Sequence, residues 1–162
     1  QELGLTSIVR SMPNTPTLVG AGVNALYFSN GLSKAIKEYI LKMFKSEFGP
    51  YVFEKEEQID LITPYSGSGP AYLFTMVDIL ARDLESKGVD GNIAREMLAQ
   101  TMYGASKLLM LNDCKADELR DKVTSKGGVT KEVLDTLSEG GLEMLFQKAI
   151  EKGHQKTLEL KS

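Results

Sequence analysis

The spacing of the apolar residues changes near residue 58, and this change constrains the fold more than any other feature of the sequence. Before it, short apolar runs at Leu5–Val9, Val23–Phe28 and Tyr51–Phe53 have the length and the flanking residues of strands. Between the last two runs a helix is predicted from about Ser33, with apolar residues at helical spacing: Ile36, Ile40, Met43, Phe44 and Phe48. This order of strand, strand, helix and strand indicates the end of an α/β unit.

Beyond residue 58 the spacing is helical throughout, so the chain as a whole is predicted to be mainly α, with an all-helical bundle in its second part. The charged run Glu54–Glu57 is typical of a solvated loop or a helix start. Gly88 ends one long helix, and the Asp90-Gly91-Asn92 turn begins the next. The predicted helices cover Leu73–Leu84, Ile93–Leu108, about Ala116–Lys122, Val129–Leu137 and Leu142–Ile150.

Composition excludes several classes of function. The 162 residues are 42% hydrophobic and 25% charged, enough to form a substantial core. A net charge of −3 without a basic cluster argues against nucleic acid as a partner. The long apolar stretch Ala71–Leu84 is too short and too charged to span a membrane, and the single cysteine, Cys114, fits a reducing compartment. We therefore expect a cytoplasmic protein that binds neither nucleic acid nor membranes.

The segment Val123–Thr130 is the first candidate for a binding site. It places two hydroxyl residues and the adjacent Gly127 and Gly128 directly before a predicted helix. Backbone N–H groups and the positive end of a helix dipole attract a carboxylate or a phosphate at such a position. A glycine-rich turn between two helices, capped by Ser or Thr, explains the same residues equally well.

The segment Met12–Pro16 is the second candidate. Its two prolines fix φ on either side of Asn14 and would hold the Asn14 amide in one direction. The residues alone favour a rigid exit from a strand into an Asx-type turn.

Other residues have simpler, structural interpretations. In Gly67-Ser-Gly-Pro70 the proline suits the first turn of a helix, so Ser68 or Gly69 is predicted to cap a helix and not to hold a phosphate. The single histidine, His154, lies in a polar run and is predicted to be a solvated residue at a helix end. Tyr72 is a core aromatic residue or a pocket wall. Cys114 lacks Cys or His neighbours, so no metal site is expected.

Three segments resemble the pyrroline-5-carboxylate reductases. Glu118–Thr130, followed by Leu134 and the Gly140-Gly141 pair, is similar to the signature of that family. Arg10–Pro16 resembles its strand-to-turn segment that faces the nicotinamide, and Ser66–Tyr72 resembles the start of its first dimerisation helix. The segments follow the family's order with similar spacing, so the resemblance covers essentially the whole chain.

The resemblance implies that residues 1–58 are the C-terminal end of a Rossmann-type NAD(P)-binding domain. It implies that residues 59–162 are an all-helical dimerisation and substrate-binding domain. The Gly-x-Gly-x-x-Gly turn that holds the cofactor pyrophosphate in the family does not follow any strand here, and the first residue is Gln1. We therefore expect the chain to be the C-terminal portion of a longer enzyme. That enzyme would be a homodimer, whose dimers could associate further.

The implied reaction is the reduction of 1-pyrroline-5-carboxylate to L-proline by NADPH or NADH, the last step of proline biosynthesis. The chain alone would be inert, because the cofactor is held mainly by the N-terminal half. Thr130 is similar to the family threonine near the ring nitrogen and is the predicted catalytic residue. The implied carboxylate site consists of Ser125, Gly127, Gly128, Val129 and Thr130. The residues implied to contact the cofactor are Met12, Pro13 and Asn14.

Two residues depart from the family pattern. Lys126 stands where the family commonly has proline, which adds a positive charge near the expected carboxylate. Lys122 stands where a family asparagine contacts the cofactor of the partner subunit, so this contact is not carried over. Two alternatives stay open: a dimerisation or regulatory relative without catalysis, and a reductase of another cyclic imine. The choice between NADH and NADPH depends on residues outside this chain.

Overall fold

A computed structural model describes residues 5–161. Residues 1–4 and 162, at the outer ends of the two predicted domains, lie outside the described residues. The strands are β1 (Val9–Pro13), β2 (Asn24–Phe28) and β3 (Tyr51–Phe53). The helices are α1 (Lys34–Met43), α2 (Glu57–Ile62), α3 (Gly69–Ser86), α4 (Gly91–Leu111), α5 (Ala116–Lys122), α6 (Val129–Glu139) and α7 (Leu142–Glu159). The 3-10 helix Thr15–Val19 follows β1, and the π-helical turn Thr63–Gly67 joins α2 to α3.

The three strands form one sheet in the order β1-β2-β3. β1 runs antiparallel to β2, with Val9 opposite Phe28, and β3 runs parallel to β2, with Tyr51 opposite Ala25. The central strand β2 is the most deeply buried, since Ala25 and Leu26 are 0% exposed. The predicted order of strand, strand, helix and strand is confirmed, and so is the mainly helical character of the chain.

The predicted strand Leu5–Val9 is wrong, because β1 begins only at Val9. The residues before Val9 are bound by the side chain of Ser29, in place of a regular ladder of backbone hydrogen bonds that extends the β1–β2 pair. The Ser29 hydroxyl accepts the N–H of Ile8 at 2.8 Å and donates to the carbonyl of Thr6 at 3.0 Å. A serine hydroxyl that binds backbone groups in this way competes with strand pairing.

Helix α1 begins where the sequence predicts, with the Ser33 hydroxyl accepting the N–H of Ile36 at 3.4 Å. It ends at Met43, however, so the prediction that Phe44 and Phe48 continue it is wrong. Gly49 has a positive φ of 99°, which redirects the chain into β3 and which glycine adopts without strain.

The helices predicted after residue 58 are confirmed in order and type. The Asp90 carboxylate caps α4 by accepting the N–H groups of Asn92 at 3.0 Å and Ile93 at 3.1 Å. Ser68 lies directly before α3, and its carbonyl accepts the N–H of Ala71 at 3.0 Å. Ser68 has helical φ and ψ of −87° and −16°, because the π-helical turn leads into α3 without an extended residue between them.

The residues form two compact units. The first contains the chain up to Tyr72 together with the part from Ala149 onward, and the second is Leu73–Lys148. In the first unit α7 comes close to the π-helical turn, since a Cβ at Gly153 would lie 2.9 Å from the Pro64 Cβ. The largest fully buried side chains are Leu26, Ile59 and Pro64. No helix in the part of the chain that the structure describes is long and apolar enough to cross a membrane.

A buried carboxylate joins three segments of the first unit. Asp60 of α2 is 2% exposed, and its Oδ1 accepts a hydrogen bond from Arg10 of β1 at 2.5 Å. Its Oδ2 accepts one from Lys161, beyond α7, at 2.8 Å. The other Arg10 nitrogen lies 3.4 Å from a carboxylate oxygen of Glu56. A charge removed from water must be paired in this way to be tolerated.

These contacts shift the pKa values of Asp60, Arg10 and Lys161. The hydrogen bond from Arg10 lowers the pKa of Asp60 below its ordinary value, and this effect exceeds the opposing effect of burial. The hydrogen bond to Asp60 raises the pKa of Arg10 and the pKa of Lys161. Asp60, Arg10 and Lys161 therefore all remain ionised at neutral pH.

We expect Asp60 to make the stability of the protein fall in acid. Since its pKa is lower in the folded chain, its stabilising effect is complete above the unfolded-state pKa and is lost as the pH falls through the folded-state pKa. Between about pH 5 and about pH 2, the free energy of unfolding in urea should fall more steeply for the unmodified protein than for Asp60→Asn. Glu38→Gln, at an exposed carboxylate near Lys34, is the matched control and should keep the original slope. Equal slopes for the unmodified protein and Asp60→Asn would contradict this expectation.

Candidate active site

The turn between α5 and α6 holds five of the predicted site residues. The carbonyl of Ser125 accepts the N–H of Gly128 at 3.0 Å, which closes the turn. Between them Gly127 has a positive φ of 71°, a conformation that glycine adopts readily. Gly128 is extended, with φ −87° and ψ 166°, and its carbonyl accepts the N–H of Lys131 at 3.1 Å. Helix α6 therefore begins at Val129, as predicted from the sequence.

Two backbone N–H groups at the start of α6 are available to a ligand. In the described part of the chain, the amides of Val129 and Thr130 donate to no protein acceptor, and Val129 is 83% exposed. The first amides of a helix have no partner inside it, and the helix dipole makes this end positive. The turn therefore has the backbone geometry that an anion site requires.

The Ser125 hydroxyl is not used as a helix cap. The cap residue of α6 is Gly128, and no side chain bonds the first amides of this helix. A Cβ on Gly128 would lie 2.2 Å from Ser125 Oγ, so the hydroxyl lies directly over the glycine. The alternative of a turn capped by Ser or Thr is therefore not what this helix start shows.

The Thr130 hydroxyl differs from those of threonines further along the helices. Thr101 and Thr136 each donate to the carbonyl four residues earlier, at 2.8 Å and 2.9 Å. Thr130 is in the first turn, where the residue four positions earlier is not helical. Its half-buried hydroxyl has no hydrogen-bond partner among the described residues and is available to a ligand.

The three residues predicted to contact a cofactor belong to the first unit and do not all face one way. Met12 and Asn14 face the π-helical turn, where a Cβ on Gly67 would lie 2.3 Å from the terminal methyl of Met12. Pro13 instead lines an open cleft of about 410 Å³, and Asn24 of β2 lines the same cleft. This difference follows from the alternation of side chains along a strand.

The Asn14 amide bonds two backbone groups. Its Oδ1 accepts the N–H of Val23 at 2.8 Å, and its Nδ2 donates to the carbonyl of Ser66 at 3.1 Å. The amide thus ties the exit of β1 to the start of β2 and to the π-helical turn. One N–H and one lone pair of the amide remain for a ligand.

The sequence reasoning missed Ser66. Its hydroxyl is buried and has no hydrogen-bond partner among the described residues. A buried polar atom of this kind is satisfied by a bound molecule or a water. The π-helical turn places it there, and the hydroxyl of Tyr72 stabilises that turn by donating to the Pro64 carbonyl at 2.6 Å. Apolar spacing does not reveal a π-helical turn, although such turns are frequent at functional sites.

The remaining singled-out residues have ordinary surroundings. Lys122 donates to the sulfur of Cys114 at 3.2 Å, and Lys126 is exposed in the turn. His154 lies within the last turns of α7 and is half-buried, so it is less solvated than predicted. Within residues 5–161, no three His, Cys, Asp or Glu side chains are grouped as metal ligands.

The comparisons with known proteins agree on one family. The model of the pyrroline-5-carboxylate reductase dimerisation family matches residues 56–160. The reductase of Pseudomonas aeruginosa is 32% identical over 153 residues, which are 94% of this chain and 56% of that protein. The Mycobacterium leprae reductase is 35% identical over an alignment of 163 positions, which covers 90% of this chain and 55% of that protein. The chain belongs to the pyrroline-5-carboxylate reductase family.

Solved structures support the same assignment. A pyrroline-5-carboxylate reductase of Coxiella burnetii superposes with a TM-score of 0.89 at 33% identity, over 95% of this chain and 57% of that one. The Plasmodium falciparum reductase with NADP bound has a TM-score of 0.85 at 27% identity, over 96% of this chain and 62% of that one. The chain spans about half the length of the curated relatives it matches.

We expect Gly128→Ala to disturb the candidate site. The new Cβ would lie 2.2 Å from the Ser125 hydroxyl and 3.2 Å from the Ser125 carbonyl, so the hydroxyl must move. Because Ser125 is exposed, its hydroxyl can rotate into solvent, and we expect the free energy of unfolding to fall by up to about 1 kcal/mol, which urea unfolding would measure. In a Ser125→Ala background the hydroxyl is gone and the same substitution should cost less. An equal cost in both backgrounds would show that the two side chains do not collide.

Proposed function

We propose that this chain is the dimerising, substrate-binding part of an NADPH- or NADH-dependent reductase that converts 1-pyrroline-5-carboxylate to L-proline, the last step of proline biosynthesis. The α5–α6 turn carries this proposal, together with membership of the family. The substrate is a cyclic imine with a carboxylate on the same small ring. A site for it needs an anion cradle and, beside the cradle, a polar group for the ring nitrogen. The segment Ser125–Thr130 supplies both.

The carboxylate would be bound at the start of α6. The amides of Val129 and Thr130 are free to donate to it, and the Ser125 hydroxyl can add a third hydrogen bond. Hydrogen bonds to a charged acceptor are stronger than those between neutral groups. Gly127 and Gly128 leave the backbone open to close approach, and the exposed Lys126 adds positive charge to the turn.

The Thr130 hydroxyl would assist the ring nitrogen. When bound, the cofactor supplies a hydride to the imine carbon, and the ring nitrogen must carry a proton for the product amine to form. The first-turn position leaves Thr130 Oγ1 free to orient that nitrogen or to relay a proton from water. Because a hydroxyl is a weak acid, relay from water is the role that fits its chemistry.

The cofactor side of the site is assigned to Met12, Pro13 and Asn14. The Asn14 amide keeps one N–H and one lone pair, and the buried Ser66 hydroxyl beside it lacks a partner, so polar groups of a carboxamide fit there. In the Plasmodium falciparum relative the bound cofactor is NADP. Both NADPH and NADH remain in the proposal.

The helices of the second unit support assembly as a homodimer. Many large apolar side chains on α3 and α4 are between 43% and 65% exposed, and Ala94 is the buried apolar residue described there. An apolar surface of this extent is typical of an interface between subunits. The exposed apolar residues on these two helices include Leu73, Phe74, Met76, Ile79, Leu80, Ile93, Met97, Tyr103 and Leu108.

The domain assignment and the location follow from the same proposal. Residues 1–58 would complete a Rossmann-type NAD(P)-binding domain, and residues 59–162 would form the dimerisation and substrate-binding domain. The enzyme would work in the cytoplasm, a reducing compartment that suits a chain whose one cysteine is Cys114.

We expect reductase activity only when the chain is joined to a dinucleotide-binding half. The assay compares the chain alone with the chain extended by the coding sequence that precedes it in its gene. Each protein is mixed with 1-pyrroline-5-carboxylate and NADPH or NADH, and cofactor oxidation is followed by absorbance. Inactivity of both proteins with both cofactors would contradict the proposal and favour a non-catalytic relative or another cyclic imine as substrate. Light scattering on the same samples measures whether dimers form or assemble further.

In the active protein, Thr130→Ala should lower kcat by about 10- to 1,000-fold, the range that general acid catalysis usually spans. Thr130→Ser keeps the hydroxyl and is the matched control, for which we expect much of the activity to remain. Unchanged turnover in Thr130→Ala would remove the catalytic role. Circular dichroism on each variant separates loss of catalysis from loss of helix α6.

A further inference from the structure

One face of β1 and of the residue that follows it contacts α2 and the π-helical turn at three successive points. Arg10, Met12 and Asn14 are alternate residues, with one residue between each pair, and alternate residues of an extended chain point to the same side. Arg10 forms an ion pair, Met12 packs through its terminal methyl, and Asn14 donates a hydrogen bond at 3.1 Å. Their partners, in the same order, are Asp60, Gly67 and Ser66.

The first of these contacts is the most directional. The Asp60 side chain is 3% exposed, so its carboxylate depends on protein groups for its hydrogen bonds. Arg10 supplies one of them and Lys161 another. Without Asp60, the remaining carboxylate near Arg10 is Glu56, 3.4 Å away, whose side chain is 47% exposed. Arg10 would then be drawn toward solvent and away from the face that Met12 and Asn14 share.

We propose that Asp60 is a positioning residue of the reductase, which acts through Arg10 to hold Met12 and Asn14 against the π-helical turn. This inference rests on the proposed function, because it concerns the residues assigned there to the nicotinamide. Lys161 occupies the second carboxylate oxygen and leaves the first one to Arg10. Asp60 itself touches neither substrate nor cofactor in this role.

A positioning role predicts a specific kinetic change. Hydride transfer depends steeply on geometry, and a displacement of about 1 Å can cost about 100-fold in rate. We expect Asp60→Asn, in the extended protein, to lower kcat about 10- to 100-fold. The cofactor KM should change less than about threefold, because the rest of the cofactor is bound by other residues. The primary isotope effect with deuterated cofactor should rise, because hydride transfer becomes more rate-limiting.

The unmodified extended protein and Glu38→Gln are measured alongside. Glu38 is an exposed carboxylate on α1 near Lys34, so its variant should match the unmodified protein. Inactivity of the unmodified protein would overturn the proposed function and this inference together. Normal activity with an unchanged kcat and isotope effect in Asp60→Asn would overturn this inference alone. A lower Tm with unchanged kcat per folded enzyme would also overturn it, because the role would then be purely structural.

Arg10→Lys provides a second test, in which the Asp60 carboxylate is kept and still pairs with Lys161. The lysine keeps the positive charge but lacks the planar fork that reaches Asp60 and Glu56 together. We expect kcat to fall and the isotope effect to rise, as in Asp60→Asn, with a smaller effect on Tm. If Asp60→Asn is not recovered in folded form, the kinetics of Arg10→Lys alone decide whether the inference holds. Unmodified values of kcat and isotope effect in Arg10→Lys would overturn the inference.

Discussion

The pairing of the buried Asp60 carboxylate is the interaction on which the first unit most depends. The first unit buries few large side chains completely, chiefly Leu26 of β2, Ile59 of α2 and Pro64 of the π-helical turn. Such a small core gives little directional information, because apolar contacts fix distance better than orientation. The Asp60 carboxylate fixes the orientation of these segments, because it accepts hydrogen bonds from β1 and from the segment after α7. The strand that carries the candidate cofactor residues is thereby held in one position relative to α2.

The candidate groups in the two units use different chemistry. In the α5–α6 turn, the groups offered to a ligand are mostly backbone amides, made accessible by two glycines and by the absence of a side-chain cap. Near β1 the corresponding groups are the side chains of Asn14 and Ser66, held by a turn of unusual helical pitch. Neither part contains a strong acid or base. This suits a reaction in which a cofactor performs the difficult step and the protein supplies orientation.

Local signals made much of this fold predictable. Capping by Asp90, the left-handed glycines at 88 and 127 and the helical spacing located the helices of the second part. Long-range contacts were not predictable, because spacing does not show which residues meet. The Ser29 hydroxyl that displaced the start of β1 lies more than twenty residues from its partners, since Ile8 is 21 residues away and Thr6 is 23. Asp60 is a charge among Ile59, Leu61 and Ile62, and nothing in the neighbouring sequence identifies Arg10 or Lys161 as its partners.

The first unit is discontinuous in sequence, and this affects the order in which the protein can form. Leu73–Lys148 leaves the ribosome as one uninterrupted piece, whereas the first unit is complete only after the part from Ala149 onward has been made. Until then Asp60 lacks Lys161, which is 101 residues away, and Pro64 lacks its contact with Gly153. Contacts so distant in sequence slow folding, because a long loop must close before they form. During synthesis, all residues of the helical unit are therefore available before the last segment of the strand-containing unit has been made.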